Sequence, residues 1–547
     1  MKKVLVIALV LLVSFGLFAQ GSSESKTTGT DEKEKLVIAI QADSFVSDYN
    51  DNYFTKYLED KLGIDIEFYM LSVNAEDVKT QISLLATGGD DLPDILLTTA
   101  LTPEAILNYG SNGVFAELDE YVSDPEKMPN YNAITGEDKK IMTNAQTQAD
   151  GHVYSLSRYE PETWNLTPNR TFINKAWLDK LGLDVPTTTE ELKEVLLAFK
   201  NEDPNGNGIA DELGVYGWQS GYYGQNIIAS IMNSFEFWND NLQNGGLALS
   251  DDGTTVIAPF TQEGWKEGLK YMHELYELGV LSAATFTDSS TQYSATLNEE
   301  TNCVGLTSSG SLGSWPSAAT NKNFLEMKLI APLEGPEGKA YTPYVEYSPA
   351  QVAFVFEGTE HMDTVIRFLD ELYDPYTSII SRFGEEGVDW TQDEEFLSTT
   401  SNSYIAAGFY DGASISYISN HWLEVTNKTW RAVVPRYSTL EFANSVTNGM
   451  VEFDPESPVQ LNAKNQEYYY ESHPEHILPL LHYTVDEAGE IQQALTNIPD
   501  YVEQTMARFI TGDLDIDRDW DSYLSNLENM GLSRWLKVAQ QAYERTL

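Results

Sequence analysis

Oxygen-bearing side chains recur at short intervals in the stretch 203–212, which reads DPNGNGIADE. Carboxylate and amide oxygens stand in alternation at Asp203, Asn205, Asn207 and Asp211. Gly206 and Gly208 let the backbone turn sharply between them. Oxygen atoms wrapped around one point in this way suit a hard divalent cation, so the spacing predicts a Ca²⁺ loop.

The stretch resembles the first half of an EF-hand loop, with positions one, three, five and six held by Asp203, Asn205, Asn207 and Gly208. It then departs from that pattern, because position twelve is Gly214 where an EF-hand has Glu. Asp211 and Glu212 close a shortened loop, and Ile209 can offer only its main-chain carbonyl. The alternative interpretation is a surface turn without an ion, since Gly, Asn and Asp are common in turns.

One helix must deliver the chain into this loop. Thr187 or Thr188 can cap its start, with Glu190 or Glu191 as the capping-box partner, and the helix is predicted to run to Lys200. Because a helix is predicted on only one side of the loop, we expect the loop to stabilise the structure and not to open and close as a calcium sensor does.

The N-terminal region alternates between strand and helix patterns. Strands are predicted at 36–40, 64–71 and 95–97, and helices at 52–62, 75–87 and 103–109. This alternation predicts an α/β fold with a parallel sheet, in which ligands bind beyond the carboxyl ends of the strands. Further helices are predicted at 261–278, 364–373, 498–511 and 532–543.

The first residues are typical of an export signal. Lys2 and Lys3 precede the apolar run 4–18, which is short for a membrane span, and Ala19 suits a cleavage site. We therefore assign residues 1–19 to a signal peptide, with a permanent N-terminal anchor as the alternative. Residues 20–35 contain no apolar side chain and are predicted to be a disordered tether. Gln20 stands where a lipoprotein would have its lipid-bearing Cys, so we expect a periplasmic or extracellular protein without a lipid.

Charge and length narrow the classes of function. The formal net charge is −51, which disfavours nucleic acid and anionic membranes as partners. About 510 residues follow the tether, too many for one ordinary core, so two or more lobes are expected. Cys303 is the single cysteine, which excludes an internal disulfide.

Several segments together resemble the family 1 extracellular solute-binding proteins, the substrate-capturing subunits of bacterial ABC importers for carbohydrates. The similarity is nearest to the branch of LipO-like lipoproteins and alginate-binding proteins. The segments that carry it are 171–192 (TFINKAWLDKLGLDVPTTTEEL), 198–208 (AFKNEDPNGNG), 87–95 (TGGDDLPDI), 109–121 (YGSNGVFAELDEY), 384–390 (GEEGVDW), 509–512 (FITG) and 520–523 (WDSY). The absent lipid-bearing Cys is a departure from the lipoprotein pattern.

The resemblance implies two α/β lobes joined by a hinge, with an oligosaccharide bound in the cleft between them and passed to a transporter permease. We expect a monomer whose N-terminal lobe spans 36–150 and about 310–360. The helix-rich C-terminal lobe would span 151–309 and about 361–547 and carry the cation loop. In the alginate-binding branch a similar loop binds calcium, which implies a ligand set of Asp203, Asn205, Asn207, Ile209, Asp211 and Glu212.

Aromatic residues make up 12% of the chain, and a sugar ring stacks its C–H face on such side chains. Most aromatic residues fill cores, so those outside helical patterns are the better candidates. They are Trp218, Tyr222, Tyr223, Trp315, Trp390 and Trp422. Gln41 and Asp43 follow the first strand and Arg158 precedes the second lobe, so these three are candidate polar contacts, although ordinary surface pairing would explain Arg158 equally well.

The leading hypothesis is therefore a binding protein and not an enzyme. A secreted polysaccharide hydrolase or lyase is the alternative, since acidic residues are abundant, but that abundance makes any one carboxylate pair weak evidence. No nucleophile elbow, His-Glu-x-x-His zinc motif or phosphate-binding Gly loop occurs in the sequence. A third possibility is a signalling role, in which a membrane receptor senses the closed lobes.

Overall fold

The computed structural model describes residues 33–87, 92–161, 163–219, 224–310, 314–315, 321–393, 415–417, 425–445, 447–448 and 468–547. The predicted signal peptide and nearly all of the predicted tether lie outside these residues. So do three predicted ligand contacts, which are Tyr222, Tyr223 and Trp422.

The described strands are short apart from the first two. In chain order they are β1 (Glu34–Gln41), β2 (Ile64–Leu71), β3 (Ile95–Leu97), β4 (Leu156–Tyr159), β5 (Thr171–Asn174), β6 (Leu213–Val215), β7 (Ala248–Leu249), β8 (Val256–Ile257), β9 (Val304–Ser308), β10 (Met327–Ile330), β11 (Ala350–Val355), β12 (Trp390–Thr391), β13 (Ser416–Tyr417), β14 (Arg436–Tyr437) and β15 (Thr447–Asn448).

The described α-helices surround these strands. They are α1 (Tyr53–Leu62), α2 (Ala75–Thr87), α3 (Pro103–Ser111), α4 (Asp119–Val122), α5 (Pro129–Ala133), α6 (Gly136–Gln146), α7 (Thr163–Leu166), α8 (Lys175–Leu181), α9 (Thr189–Asn201), α10 (Ile227–Met232), α11 (Glu263–Glu277), α12 (Ser290–Leu297), α13 (Lys322–Leu325), α14 (Met362–Glu371), α15 (Pro375–Phe383), α16 (Leu440–Ser445), α17 (Val485–Ile510), α18 (Ile516–Asn529) and α19 (Leu532–Glu544).

Within the described residues, the first sheet has six strands in the order β14-β4-β11-β3-β1-β2. Strand β1 pairs in parallel with β2 and β3, as the strand–helix–strand alternation predicts. Leu36, Ile38 and Ile40 are fully buried, because helices cover the sheet. Helix α1 connects β1 to β2, with Asn52 accepting from the Phe54 amide at its start.

The second sheet has four strands in the order β10-β5-β9-β6. Strand β5 is antiparallel to both β9 and β10, and β6 is parallel to β9. Helices α9, α10 and α11 pack their buried faces into one core with the C-terminal helices, through Phe199, Ile231, Leu269, Val502 and Trp535. A separate set of aromatic residues, including Phe172 and Trp315, packs against part of this sheet.

The cores define two lobes whose boundaries differ from the predicted division. Val365 and Phe368 of α14 and Ile380 of α15 pack in the same core as Leu36 of β1, so the segment 362–383 belongs with the first sheet. Strand β10 pairs with β5 and therefore belongs with the second sheet. We define the first lobe as residues 33–159 and 350–448, and the second lobe as residues 171–330 and 468–547, where described.

The C-terminal part of the chain is helical, as predicted. Helix α17 is longer than the predicted helix 498–511, because it begins at Val485 and continues through Pro499. It packs against α11 and α19 in the second lobe and also touches α3 of the first lobe. Among the described helices, none combines the length and apolar composition that a membrane crossing requires.

Thr484→Ala tests how the long C-terminal helix is held at its start. The Thr484 hydroxyl accepts from the Glu487 amide, and a Glu487 carboxylate oxygen accepts from the Thr484 amide at 2.9 Å. Loss of this reciprocal cap should cost about 1 kcal/mol, which is about 2 °C in melting temperature for a lobe of this size. Differential scanning calorimetry measures the shift.

Thr496→Ala is the matched control in the same helix. The Thr496 side chain is exposed and donates only to the Gln492 carbonyl one turn earlier. Since Ala favours a helix interior over Thr, this variant should melt at or slightly above the wild-type temperature. Equal losses in the two variants would contradict the assigned role of the cap.

Candidate functional site

The chain passes between the lobes three times, and two of these connections lie in the described part of the chain: residues 160–170 run from β4 to β5, and residues 331–349 run from β10 to β11. The third, residues 449–467, lies outside the described residues. Strands β3 and β4 are both antiparallel to β11, so β1, β3 and β4 all end at the edge from which the first crossing leaves. In the second sheet, β5 begins where β6 and β9 end. We call the space between these two edges the interlobe cleft.

Gln41 is the last residue of β1 at this edge. Its side-chain oxygen accepts from the Thr98 hydroxyl at 2.7 Å and from the Thr99 amide at 3.1 Å. The side chain therefore joins the ends of two neighbouring strands and is partly exposed there. This location agrees with its prediction from the strand pattern, although it does not test ligand contact.

Asp43 lies two residues further on and pairs with Arg431. One carboxylate oxygen accepts from the Phe45 amide at 2.8 Å, and the other lies 3.2 Å from Arg431 Nε. The Arg431 guanidinium is 4.8 Å from the centre of the Phe45 ring. Burial lowers the pKa of Arg431, and Asp43 partly opposes that shift. Asp43 thus neutralises a buried cation at the cleft edge.

Arg158 belongs to a buried ionic cluster that we call the Glu160 cluster. Glu160 is 2.6 Å from Arg436 Nε, 3.2 Å from Arg382 Nη1 and 3.3 Å from Arg158 Nε. Arg158 also donates to the Ala432 carbonyl. Burial alone would raise the pKa of Glu160, but the three guanidinium groups outweigh it and hold that pKa well below its usual range. Sequence reasoning found Arg158 but missed its partners.

Glu160 also joins the two crossing segments. It is the first residue after β4, and its amide donates to the Tyr347 hydroxyl at 2.5 Å. Tyr347 lies in the second crossing and packs between the core of the first lobe and the small aromatic cluster around Tyr344 and Phe237. The Glu160 cluster therefore fixes the point at which these two crossing segments meet the first lobe.

The predicted aromatic contacts fall into three groups. Trp218 follows β6, is partly buried and lies at the edge of the second sheet. Trp315 is 1% exposed between Phe172 and Phe324, and Trp390 is 0% exposed with its ring N–H donating to the Gly384 carbonyl. Neither buried ring has an open face for a sugar in this structure, because core side chains cover it. The remaining three aromatic residues lie outside the described residues.

A buried polar cluster that sequence reasoning missed lies at the edge of the second lobe. Asp240 accepts from the Asn226 side-chain amide at 2.8 Å and from that of Asn169 at 3.4 Å. Asn169 lies two residues before β5, in the first crossing segment. Burial raises the pKa of Asp240 to about 8, and nearby Glu503 adds to the shift. The surrounding NDNLQNGG sequence reads only as a turn, so composition offered no signal for this cluster.

The predicted cation loop follows α9, whose Thr188–Glu191 capping box forms as predicted. Gly206 and Gly208 both have φ of +76°, a left-handed conformation that favours glycine. The Asp203 carboxylate accepts from the amides of these two glycines at 2.9 and 3.1 Å. The loop is therefore curled around the Asp203 side chain.

The remaining predicted ligands gather at the Asp211 side of the loop. The side-chain amide nitrogens of Asn205 and Asn207 each donate to an Asp211 carboxylate oxygen at 2.9 Å. Glu212 Oε1 is buried without a hydrogen-bond partner within the described residues. Burial raises the pKa of Glu212, and Asp211 and Asp203 add to the shift. An orphaned carboxylate oxygen beside two further carboxylates fits a divalent cation, which would supply the missing positive charge.

A second group with metal-binding chemistry lies at the outer end of the first lobe. Glu117, Asp119 and His152 place one ligand atom each within 4.8 Å of one another. All three side chains are open to solvent, and Asp119 also accepts from the Val153 amide. Because hydrogen bonding and solvent account for these groups, their proximity alone does not define a metal site.

Two α/β lobes connected by crossing segments, with polar groups on facing sheet edges, define a two-lobed binding-protein architecture. The sequence model of the bacterial extracellular solute-binding proteins matches residues 47–377, which is more than half of the chain. The chain belongs to this family, which confirms the predicted family and fold class.

Relatives with known names extend the comparison to the whole chain. FusA of Streptococcus pneumoniae serotype 4, a fructooligosaccharide ABC transporter substrate-binding protein, is 24% identical, with 98% of this chain and 97% of that protein covered. The lipoprotein LipO of Bacillus subtilis strain 168 is 26% identical, with 70% and 73% covered. These relatives are substrate-binding proteins or lipoproteins.

Solved structures share the two-lobed fold. FusA in complex with kestose has a TM-score of 0.75 at 23% identity and covers 94% of this chain and 99% of its own. An EF-hand mutant of FusA in complex with fructo-nystose gives the same TM-score. A solute-binding protein of Bifidobacterium longum infantis that binds human milk oligosaccharides gives 0.72 at 22% identity, with the same coverage.

Glu160→Gln tests the ionic cluster at the start of the crossings. The substitution leaves Arg436, which is 1% exposed, without a full counter-charge, so the free energy of unfolding should fall by roughly 3–5 kcal/mol near neutral pH. The pKa of Glu160 is depressed in the folded protein. The stability that Glu160 contributes is therefore complete above the ordinary carboxyl pKa near 4.5 and is lost as the pH falls below that value. The difference between wild type and variant should therefore shrink in acid, as urea unfolding at several pH values would measure.

Glu137→Gln provides the control in the same lobe. Glu137 forms an exposed pair with Lys140 at 3.3 Å, and such pairs contribute about 0.5 kcal/mol or less. A Glu160→Gln effect as small as that of Glu137→Gln would contradict the importance assigned to the Glu160 cluster.

Proposed function

We propose that this protein captures an oligosaccharide between its two lobes and delivers it to the permease of an ABC transporter. The observation that carries the proposal is the pair of polar sheet edges that the crossing segments join, in a chain belonging to the solute-binding proteins. Its similarity to FusA over nearly the whole length supports a sugar ligand. The relatives are binding proteins, so capture and release are the proposed activity and bond cleavage is not.

The proposed contacts come from both lobes. Trp218, with Tyr222, Tyr223 and Trp422, would offer aromatic faces to the C–H surfaces of sugar rings. Gln41 and Asp43 would contact hydroxyl groups from the first lobe, and Arg158 would border the cleft from the Glu160 cluster. Closure of the lobes would then exclude water from these contacts, which strengthens each hydrogen bond.

The proposed setting follows from the family and the N-terminal sequence. The family is extracellular, and residues 1–19 have the pattern of a signal peptide. Gln20 in place of a lipid-bearing Cys supports export without lipidation. We further propose that the exported protein acts as a monomer.

The loop 203–212 is proposed to bind one structural Ca²⁺. Asp203, Asn205, Asn207, Asp211 and Glu212 would contribute side-chain oxygens, and Ile209 would contribute its main-chain carbonyl. The curled loop, the orphaned Glu212 oxygen and the EF-hand of the FusA relative support this assignment. The ion would neutralise the carboxylates and hold the connection between α9 and β6.

Oligosaccharide binding is measured by isothermal titration calorimetry with kestose, nystose, lacto-N-tetraose and trigalacturonate. We expect micromolar or tighter binding of at least one of these sugars. Trp218→Ala should weaken that binding about tenfold or more, because one stacking face is lost. Trp218→Phe, which keeps a ring, is the control and should lose less.

Product analysis by mass spectrometry after prolonged incubation separates binding from catalysis. The proposed capture role requires the bound sugar to remain intact. Release of shorter fragments would show a hydrolase or lyase and overturn the proposal.

Calcium binding is measured by the melting temperature with EDTA and with added CaCl₂. A ligand present at 100 times its Kd stabilises a folded protein by about 2.7 kcal/mol, so EDTA should lower the melting temperature by several degrees and Ca²⁺ should restore it. Asp203→Asn should remove most of this response.

His152→Ala distinguishes the loop from the group of Glu117, Asp119 and His152. The calcium response should persist in His152→Ala, because that side chain lies outside the loop. A response lost in His152→Ala and retained in Asp203→Asn would place the ion in the other group and refute the loop assignment.

A further inference from the structure

We infer that Asp240 is the second lobe's acceptor for ligand hydroxyl groups, and that the sugar unit bound there carries no negative charge. This inference rests on the proposed function and deepens it. It depends on where Asp240 lies, how its carboxylate is held, and which charges surround it.

Asp240 lies at the cleft edge of the second sheet. Its partner Asn169 is in the first crossing segment, beside the start of β5, and its partner Asn226 caps α10 through the Ala229 amide. Asp240 itself has φ of +55°, a conformation that costs free energy for a residue other than glycine. The backbone is thus held in a costly conformation, and two fixed amides orient the carboxylate.

The two amides leave part of the carboxylate free to accept further hydrogen bonds. Each oxygen receives one N–H, at 2.8 Å from Asn226 and 3.4 Å from Asn169, whereas a carboxylate can accept about four. Asp240 as a residue is partly exposed. The Asn169 side-chain oxygen, in a residue that is 0% exposed, also has no donor within the described residues. Asp240 therefore keeps spare acceptor capacity, which sugar hydroxyls would use, while the buried Asn169 oxygen shows that the cluster is short of donors.

The surrounding charges exclude an ion pair as the reason for this arrangement. Among the described residues, no Lys, Arg or His pairs with Asp240, and the one charged group that shifts its pKa is Glu503, another acid. A desolvated carboxylate without a cation destabilises the fold, which is consistent with the raised pKa near 8. A uronate, sulfate or phosphate group would add a negative charge beside Glu503 and would oppose ionisation of Asp240, whereas a neutral hydroxyl donates a hydrogen bond.

Sugar binding should then release the proton of the Asp240 carboxyl group. Near pH 7 the Asp240 carboxyl of the free protein carries a proton, because its pKa lies near 8. Hydroxyl donors favour the ionised form, so a bound sugar lowers the pKa and the carboxyl proton passes to the buffer. Proton release on binding distinguishes a ligand acceptor from a residue that serves only the fold.

The test uses calorimetric titration of wild type at pH 7 with kestose, nystose and lacto-N-tetraose, in buffers of different ionisation enthalpy. We expect a substantial fraction of one proton released per complex, and binding of trigalacturonate at least tenfold weaker than that of the best neutral sugar. Asp240→Asn should bind the best neutral sugar at least tenfold more weakly and release no proton. Asp251→Asn, an exposed acid in the same lobe, should match wild type.

The stability of the sugar-free protein is the second measurement. The pKa of Asp240 is raised in the folded protein. The stability that Asp240 contributes is therefore present below the ordinary carboxyl pKa near 3.8 and is lost as the pH rises through about 8. The melting temperature of Asp240→Asn relative to wild type should therefore rise from pH 4 to pH 8 and then level off. A variant that melts several degrees below wild type at every pH would show a structural role and overturn the inference.

The outcomes separate this inference from the proposed function. If wild type binds none of the sugars, the proposed function and the inference both fail. If wild type binds a neutral sugar without releasing a proton, or Asp240→Asn binds it equally well, the inference fails and the proposed function stands. Preferred binding of trigalacturonate would likewise overturn the neutral-sugar assignment.

Discussion

The rest of the structure depends on one buried carboxylate at the point where the chain leaves the first lobe. Glu160 balances three guanidinium groups that come from β4, α15 and β14, which are far apart in the sequence. Its amide also contacts Tyr347 in the second crossing segment. Because removing a partner would leave an unpaired buried charge, the two crossings that the structure describes are held at their first-lobe ends.

The two edges of the cleft handle charge in different ways. On the first lobe, Arg431 is matched with Asp43, and the arginines around Glu160 are tied to its carboxylate and to main-chain carbonyls. On the second lobe, Asp240 is matched with amides only. In a protein with a net charge of −51, the arginines named here on the first lobe are thus engaged with its own acids.

Local patterns predicted many elements, because their causes lie within the element. Ile64–Leu71, Ala75–Thr87 and Ile95–Leu97 were predicted with the observed bounds, since alternation, helical spacing and caps are all local. Helix α17 was predicted to begin at Ile498, but burial of Ile491 and Ala494 extends it back to Val485. The lobe to which 362–383 belongs could not be predicted, because an apolar face does not specify which core covers it.

The candidate sites also differ in whether they depend on neighbouring residues or on residues far apart in the sequence. The loop 203–212 draws its predicted ligands from ten consecutive residues, so their spacing could be read directly, whereas Glu160 and Arg382 meet across 222 positions. Trp315 and Trp390 show the same limit, since a glycine-rich setting does not reveal that other side chains cover the ring. Strand β6 connects the predicted cation loop with the cleft. Glu212 immediately precedes this three-residue strand, and Trp218 follows its end at the cleft. The proposed Ca²⁺ would fix the loop and with it the strand that places Trp218, so a site remote from the cleft would influence cleft geometry.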